Sequence, residues 1–185
     1  MRINHHPLLV GLTCRNYPVS TYRTVLIAYF HLYEKLEMRI AEFLQRHTVQ
    51  FDYSDRLKLP WIRDDLIFLN EDPLIDANLP AQGIEIPQIE NVGQLIGVLY
   101  PIEGASLGGQ VVSQHLKNNF QYSEAQGARF FNGYGDKTSE KWAEFCHFSD
   151  SIQGRTEQCK AAEDAALFVF NKFKEVLNDY YQSRH

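Results

Sequence analysis

The chain is poor in cysteine, with only Cys14, Cys146 and Cys159 among 185 residues. They are odd in number, widely spaced and contain no CxxC pair, which excludes a disulfide framework and a zinc site built on paired thiolates. There is no cysteine cluster for iron–sulfur and no GxGxxG followed by an acidic residue, so the chain has no electron-carrying motif of its own. An excess of basic charge is also missing. Eighteen Lys and Arg stand against 23 Asp and Glu, for a net charge of −5, and the cations are scattered, which argues against a nucleic-acid partner. No segment approaches about 18 uninterrupted apolar residues. The first dozen residues, MRINHHPLLVGL, lack a basic region followed by an extended apolar core, so neither membrane insertion nor export is expected. A reducing cytoplasm is the expected location. Proline is sparse and long polar tracts are absent; at 44% hydrophobic and 22% charged, residues 1–185 fit one domain with a substantial core.

What is present is helical periodicity. From Ser20 to about Arg46, apolar residues at Tyr22, Val25, Leu26, Tyr29, Tyr33, Leu36, Ile40, Phe43 and Leu44 step by three and four along one face. SDRLKLPWIRDDLIFLN offers a cap at Ser54 and Pro60 where a second helix can begin. Asn70 to Pro87, with three prolines and no helical period, is expected to be a surface loop. Periodicity resumes from Gln88 to about Asn118 through Val92, Leu95, Leu99, Ile102, Leu107, Val111 and Leu116, with a bend expected at Pro101. GARFFNGYGDKTSEK is glycine-punctuated turn, followed by a helix from about Thr138 or Ser139, and Ala162 to Tyr180 keeps helical spacing for five turns. TVQFDY, at Thr48 to Tyr53, is the one short strand candidate. The fold class is therefore all-α, with six or seven helices in an irregular bundle.

The helix containing EGASLGGQVVSQHL carries Gly104, Gly108 and Gly109, each costing roughly 1 kcal/mol relative to alanine in a helix interior. One reading is close approach of another helix to Gly104 and Gly108. The other is a flat, rigid ligand lying directly on main-chain atoms, with Gly109, about 100° round from Gly108, extending the bare surface.

LYPIEGASLGGQVVSQHL, together with YRTVLIAYFHLYEKLE and GARFFNGYGDKTSEKWAEF, resembles the haem oxygenases, particularly the bacterial, biliverdin-forming, phytochrome-associated branch, and the three stretches follow the family's order across most of the chain. The resemblance implies a haem-oxygenase-like irregular multi-helix bundle that clamps haem between a proximal and a distal helix. Gly104, Gly108 and Gly109 fall at the distal positions. Haem is then both substrate and cofactor: with O2 and external electrons its own meso carbon is oxidised, giving biliverdin, carbon monoxide and ferrous iron, while the protein supplies orientation and exclusion of competing paths. The implied partners are haem, a reductase or ferredoxin electron donor and a phytochrome.

Two departures from the family pattern matter. Ala105 stands where animal-type members have an aspartate that orders the distal water chain, leaving Ser106 and ordered water as candidates for proton delivery. The proximal histidine, counted back without gaps from YFHLYEKLE, falls just before Met1. His5 and His6 are the nearby candidates for the iron ligand, and His5 is the better of them because His6 directly precedes Pro7. Their plainer reading is that of solvent-facing residues near a chain end. Arg129 and His147 are candidates for the haem propionates, while His31 and His115 are expected to be a core or rim residue and an outer distal-helix residue. The missing first-helix histidine also motivates the alternative of a non-catalytic haem or tetrapyrrole-binding protein of the same fold.

Overall fold

The computed structural model describes residues 6–71 and 83–183. Among them run α1 (Pro7–Val10), α2 (Val19–Arg46), α3 (Leu59–Phe68), α4 (Val92–Phe120), α5 (Arg129–Asn132), α6 (Thr138–Ser149) and α7 (Thr156–Gln182). No strand occurs among the described residues, and TVQFDY is irregular chain. Most of the loop expected over Asn70–Pro87 lies outside the described residues, and 84–87 carry no regular structure.

α2 behaves as its sequence pattern predicts. Tyr22, Val25, Leu26, Tyr29, Tyr33, Leu36, Ile40 and Phe43 are all buried, and the helix follows Pro18, whose fixed φ and missing N–H suit a helix start. Its Tyr29 and Tyr33 rings meet Phe130 and Phe173 edge-on at 5.5–5.6 Å between centroids, which makes the centre of the core aromatic.

α3 departs from the expected cap. Ser54 instead has its amide held by Asp52, in a turn. The start of α3 is capped from α2, where the buried Glu37 carboxylate accepts the amides of Lys58 at 2.5 Å and Leu59 at 3.3 Å. A carboxylate there also suits the positive end of the helix dipole.

α4 and α7 run parallel with their main chains in contact. A Cβ on Gly93 would strike the carbonyl of Gln158, and one on Gly97 the carbonyl of Ala162. The Gly93 amide donates to the Gln158 side chain at 2.7 Å. By length and composition α4 is apolar enough to cross a membrane, but half of that stretch is buried inside the fold.

The turn region after α4 holds Gly127, Gly133 and Gly135 at φ of 83°, 57° and 57°, and its short α5 is capped by the buried Asp65 of α3, which accepts the amides of Arg129 at 2.7 Å and Phe130 at 2.9 Å. Burial pushes the Asp65 carboxyl from 3.8 up to about 6, even against these two donors. Between those values the folded chain holds a proton that the unfolded chain releases, so this group favours the fold on the acid side and its contribution is lost as pH rises through 6. Relative to Asp65→Asn, the wild type should therefore lose up to about 3 kcal/mol of stability between about pH 4 and pH 6.5, since each pH unit separating the folded and unfolded titrations is worth about 1.36 kcal/mol. Urea titrations of both proteins across that range measure the difference, and a flat difference refutes it.

Candidate functional site

The C-terminal part of α4 presents a bare apolar face. Tyr100, Gly104, Leu107, Gly108 and Val111 recur at helical spacing, and Tyr100, Leu107 and Val111 are 47%, 44% and 57% exposed. The sequence pattern places Leu107 and Val111 with the core residues. α4 is apolar on more than one side, however, and of the same pattern the fold buries Ile102 and Leu116 but not these two. Gly108 lies in the open: a Cβ built on it would meet nothing within 4 Å. At Gly104 a Cβ would make only ordinary contact with the Trp142 ring, 3.7 Å away.

Aromatic rings border this face. Tyr100 packs near Trp142, Phe145 and Phe170, with centroids 5.9, 6.4 and 6.3 Å apart. Phe170 and Leu167, one turn apart on α7, are themselves exposed. An apolar surface of this kind, with main chain bared at its centre, suits a flat apolar ligand.

The neighbouring motif residues face elsewhere, because successive residues turn about 100° round a helix. Gly109 backs onto α5, where a Cβ would come within 2.7 Å of the Phe131 carbonyl oxygen. Ser106 is buried beside the Gly133 turn, away from the open face. Packing thus accounts for Gly109, while Gly104 and Gly108 remain on the surface.

Arg129 is held within its own turn region. Its guanidinium donates to the Gly133 carbonyl at 2.6 Å, lies 4.3 Å above the Trp61 ring and pairs with Glu124 at 3.4 Å. His147 is exposed on α6, five residues past Trp142 and so about 140° round from the side that borders Gly104. His31 stacks on Tyr180 as a rim residue, with centroids 6.3 Å apart, and His115 is half-buried near the outer end of α4.

His5 lies outside the described residues. His6 is buried, not solvent-facing, and both ring nitrogens are engaged: Nδ1 accepts the Leu8 amide at 3.1 Å as the cap of α1, and Nε2 pairs with Asn178 Oδ1 at 3.1 Å. Burial lowers its pKa, with the Asn178 bond opposing, so the ring is held neutral. Among the described residues no group of three or more His, Cys, Asp or Glu side chains could hold a metal ion.

Directly beneath the bare turn lies a buried ionic cluster that no sequence motif announces. Glu103 accepts from Arg56 Nη1 at 2.8 Å, Lys58 Nζ at 3.0 Å and the Tyr134 hydroxyl at 2.8 Å, and Lys58 Nζ also donates to Tyr134 at 2.6 Å. The Arg56, Lys58 and Glu103 side chains are 1%, 2% and 0% exposed. Arg56 continues outward to Glu144 at 2.5 Å and lies over the Phe51 ring at 4.6 Å. Burial lowers the Lys58 pKa with the Glu103 charge opposing, and burial together with Glu103 raises that of Tyr134. The arrangement ties α4 to the segment before α3 and to the turn before α6.

A family model described as heme oxygenase matches residues 13–179. A heme oxygenase of Xanthomonas campestris pv. campestris is 27% identical over 146 residues, covering 79% of this chain and 80% of that one. The crystal structure of the NO- and CO-bound heme oxygenase of Neisseria meningitidis superimposes with a TM-score of 0.77 at 20% identity, over 94% of this chain and 83% of that chain, and shares the fold.

Proposed function

Since the chain belongs to the heme oxygenase family and is an enzyme of haem degradation, we propose that haem lies on the Gly104–Gly108 face of α4 and is cleaved there to biliverdin, carbon monoxide and ferrous iron. The observation that carries this reading is the open space at Gly108 between exposed apolar side chains. It fits a macrocycle in contact with main-chain atoms, and a side chain at Gly108 would project into that space.

Bound haem supplies the redox chemistry, using O2 and electrons from outside the chain. The protein's part is positional. Leu107, Val111 and Phe170 cover apolar ring surface and exclude water, Tyr100 and Trp142 wall one end, and the bared turn leaves room for a small molecule beside the ring. Ala105 has no proton to give, and Ser106 faces the buried side, so proton delivery falls to ordered water. A reductase or ferredoxin serves as donor, a phytochrome as consumer of the product, and the cytoplasm as location, in keeping with three free cysteines.

One observation favours a second reading. Iron ligation through His6 Nε2 would break its bond to Asn178 and, by leaving the proton on Nδ1, the Leu8 bond as well, which fits a haem- or tetrapyrrole-binding protein without turnover. Haemin added with a ferredoxin or reductase system separates the two. Loss of the Soret band with growth of biliverdin absorbance and carbon monoxide release is the expected result; a Soret band that persists through repeated reduction supports the second reading. His6→Ala should leave the Soret position unchanged unless His6 is the iron ligand.

A further inference from the structure

Resting on that haem-degrading reading, we propose that Glu103 is a positioning residue. Through Arg56, Lys58 and Tyr134 it fixes the rotation of the glycine turn and so decides which face of α4 is presented to haem.

The need arises from α4 itself. Upstream of Pro101 the contact of Gly93 and Gly97 with α7 sets the rotation. Pro101 then leaves the Gly97 carbonyl without its intrahelical donor, and the next turns carry Gly104, Gly108 and Gly109. Gly109 against the Phe131 carbonyl constrains the rotation farther along, but at the Gly104 turn hydrophobicity does not choose one. Leu107 and Val111 on the open side are as apolar as Ile102 and Leu116 on the buried side, so turning the helix would bury a comparable surface. A buried carboxylate does choose. Donors reach Glu103 from the segment before α3 and from the turn before α6, so turning the helix would break the bonds of Arg56, Lys58 and Tyr134 to it together. Gly104 follows Glu103 directly, so whatever holds one aims the other.

The test compares Glu103→Gln and Tyr134→Phe with wild type; the second removes a single hydroxyl and keeps the question answerable if the first does not fold. Tyr22→Phe is the control, since it removes a hydroxyl more deeply buried than that of Tyr134, one that donates at 2.7 Å to Gly127, outside α4. In haem-free protein, amides of residues 102–109 should exchange about tenfold faster in both cluster variants and at the wild-type rate in Tyr22→Phe. With haemin bound, the ferric Soret band should shift, and the biliverdin formed should change from one dominant isomer to a mixture. Unchanged exchange, spectrum and isomer distribution in both variants would overturn the proposal, as would the same changes in Tyr22→Phe. Wild-type protein that takes up no haemin overturns the underlying reading and this proposal with it, whereas wild-type uptake with unaltered variants overturns the proposal alone.

Discussion

Gly108→Phe is expected to weaken haemin binding at least about 100-fold, equivalent to roughly 2.7 kcal/mol, with almost no change in melting temperature. The two halves of this expectation come from one fact: a Cβ at position 108 meets nothing within 4 Å, so the protein accommodates the ring easily while the space assigned to haem is filled. Replacing glycine in an exposed helical turn should even add a few tenths of a kcal/mol of helix propensity. Gly109→Ala should show the reverse. Its methyl would press on the Phe131 carbonyl at 2.7 Å, so thermal stability falls while haemin affinity stays within a few-fold of wild type among molecules that remain folded. Haemin titrations followed at the Soret band, beside thermal melts of the haem-free proteins, test both. Wild-type affinity in Gly108→Phe would remove haem from this face.

Glu103→Leu is expected to produce the largest loss of stability, about 3–5 kcal/mol, because it leaves Arg56 and Lys58 buried at 1% and 2% exposure without their shared counter-charge. For a chain of this size that corresponds to a fall in melting temperature of roughly 10 °C or more. Adding Arg56→Met and Lys58→Met to Glu103→Leu should recover most of the loss, since an apolar cluster of similar volume has no charge left to desolvate. Stability equal to wild type in the single variant would show that the existing Arg56–Glu144 pair is enough for Arg56 and that Lys58 is held by its other partners.

The long helices are legible because each has one dominant apolar stripe at a regular interval. α2 begins at Val19, one residue before the Ser20 that its pattern suggests, and α6 and α7 follow their patterns. α4 is legible as a helix but not in its facing: with apolar residues on several sides, periodicity alone does not tell that Leu107 and Val111 are left in the open. The start of α3 escapes for a different reason. Its capping group, Glu37, lies 21 residues away from Lys58 along the chain, where no local pattern reaches. α1 has four residues and leans on α7 through His6, too short to show a period.

For the candidate site, the GASLGG stretch marks the turn that the fold leaves partly bare, and the helical period divides it, with Gly104 and Gly108 outward and Ser106 and Gly109 inward. The charged cluster is invisible to sequence reasoning. Arg56, Lys58 and Tyr134 stand 47, 45 and 31 positions from Glu103, and such side chains are expected at the surface until a fold buries them together.

The glycine crossing of α4 on α7 has a mechanical consequence. Where a Cβ would strike the facing carbonyls, little lies between the two main chains to yield, so the first halves of these helices are expected to travel as one piece. Any breathing of the ligand bed therefore falls to the part of α4 past Pro101, where the ladder of backbone bonds already lacks a rung. With haem placed on that face as proposed, its entry and the product's escape would turn on a pivot one turn from Gly104.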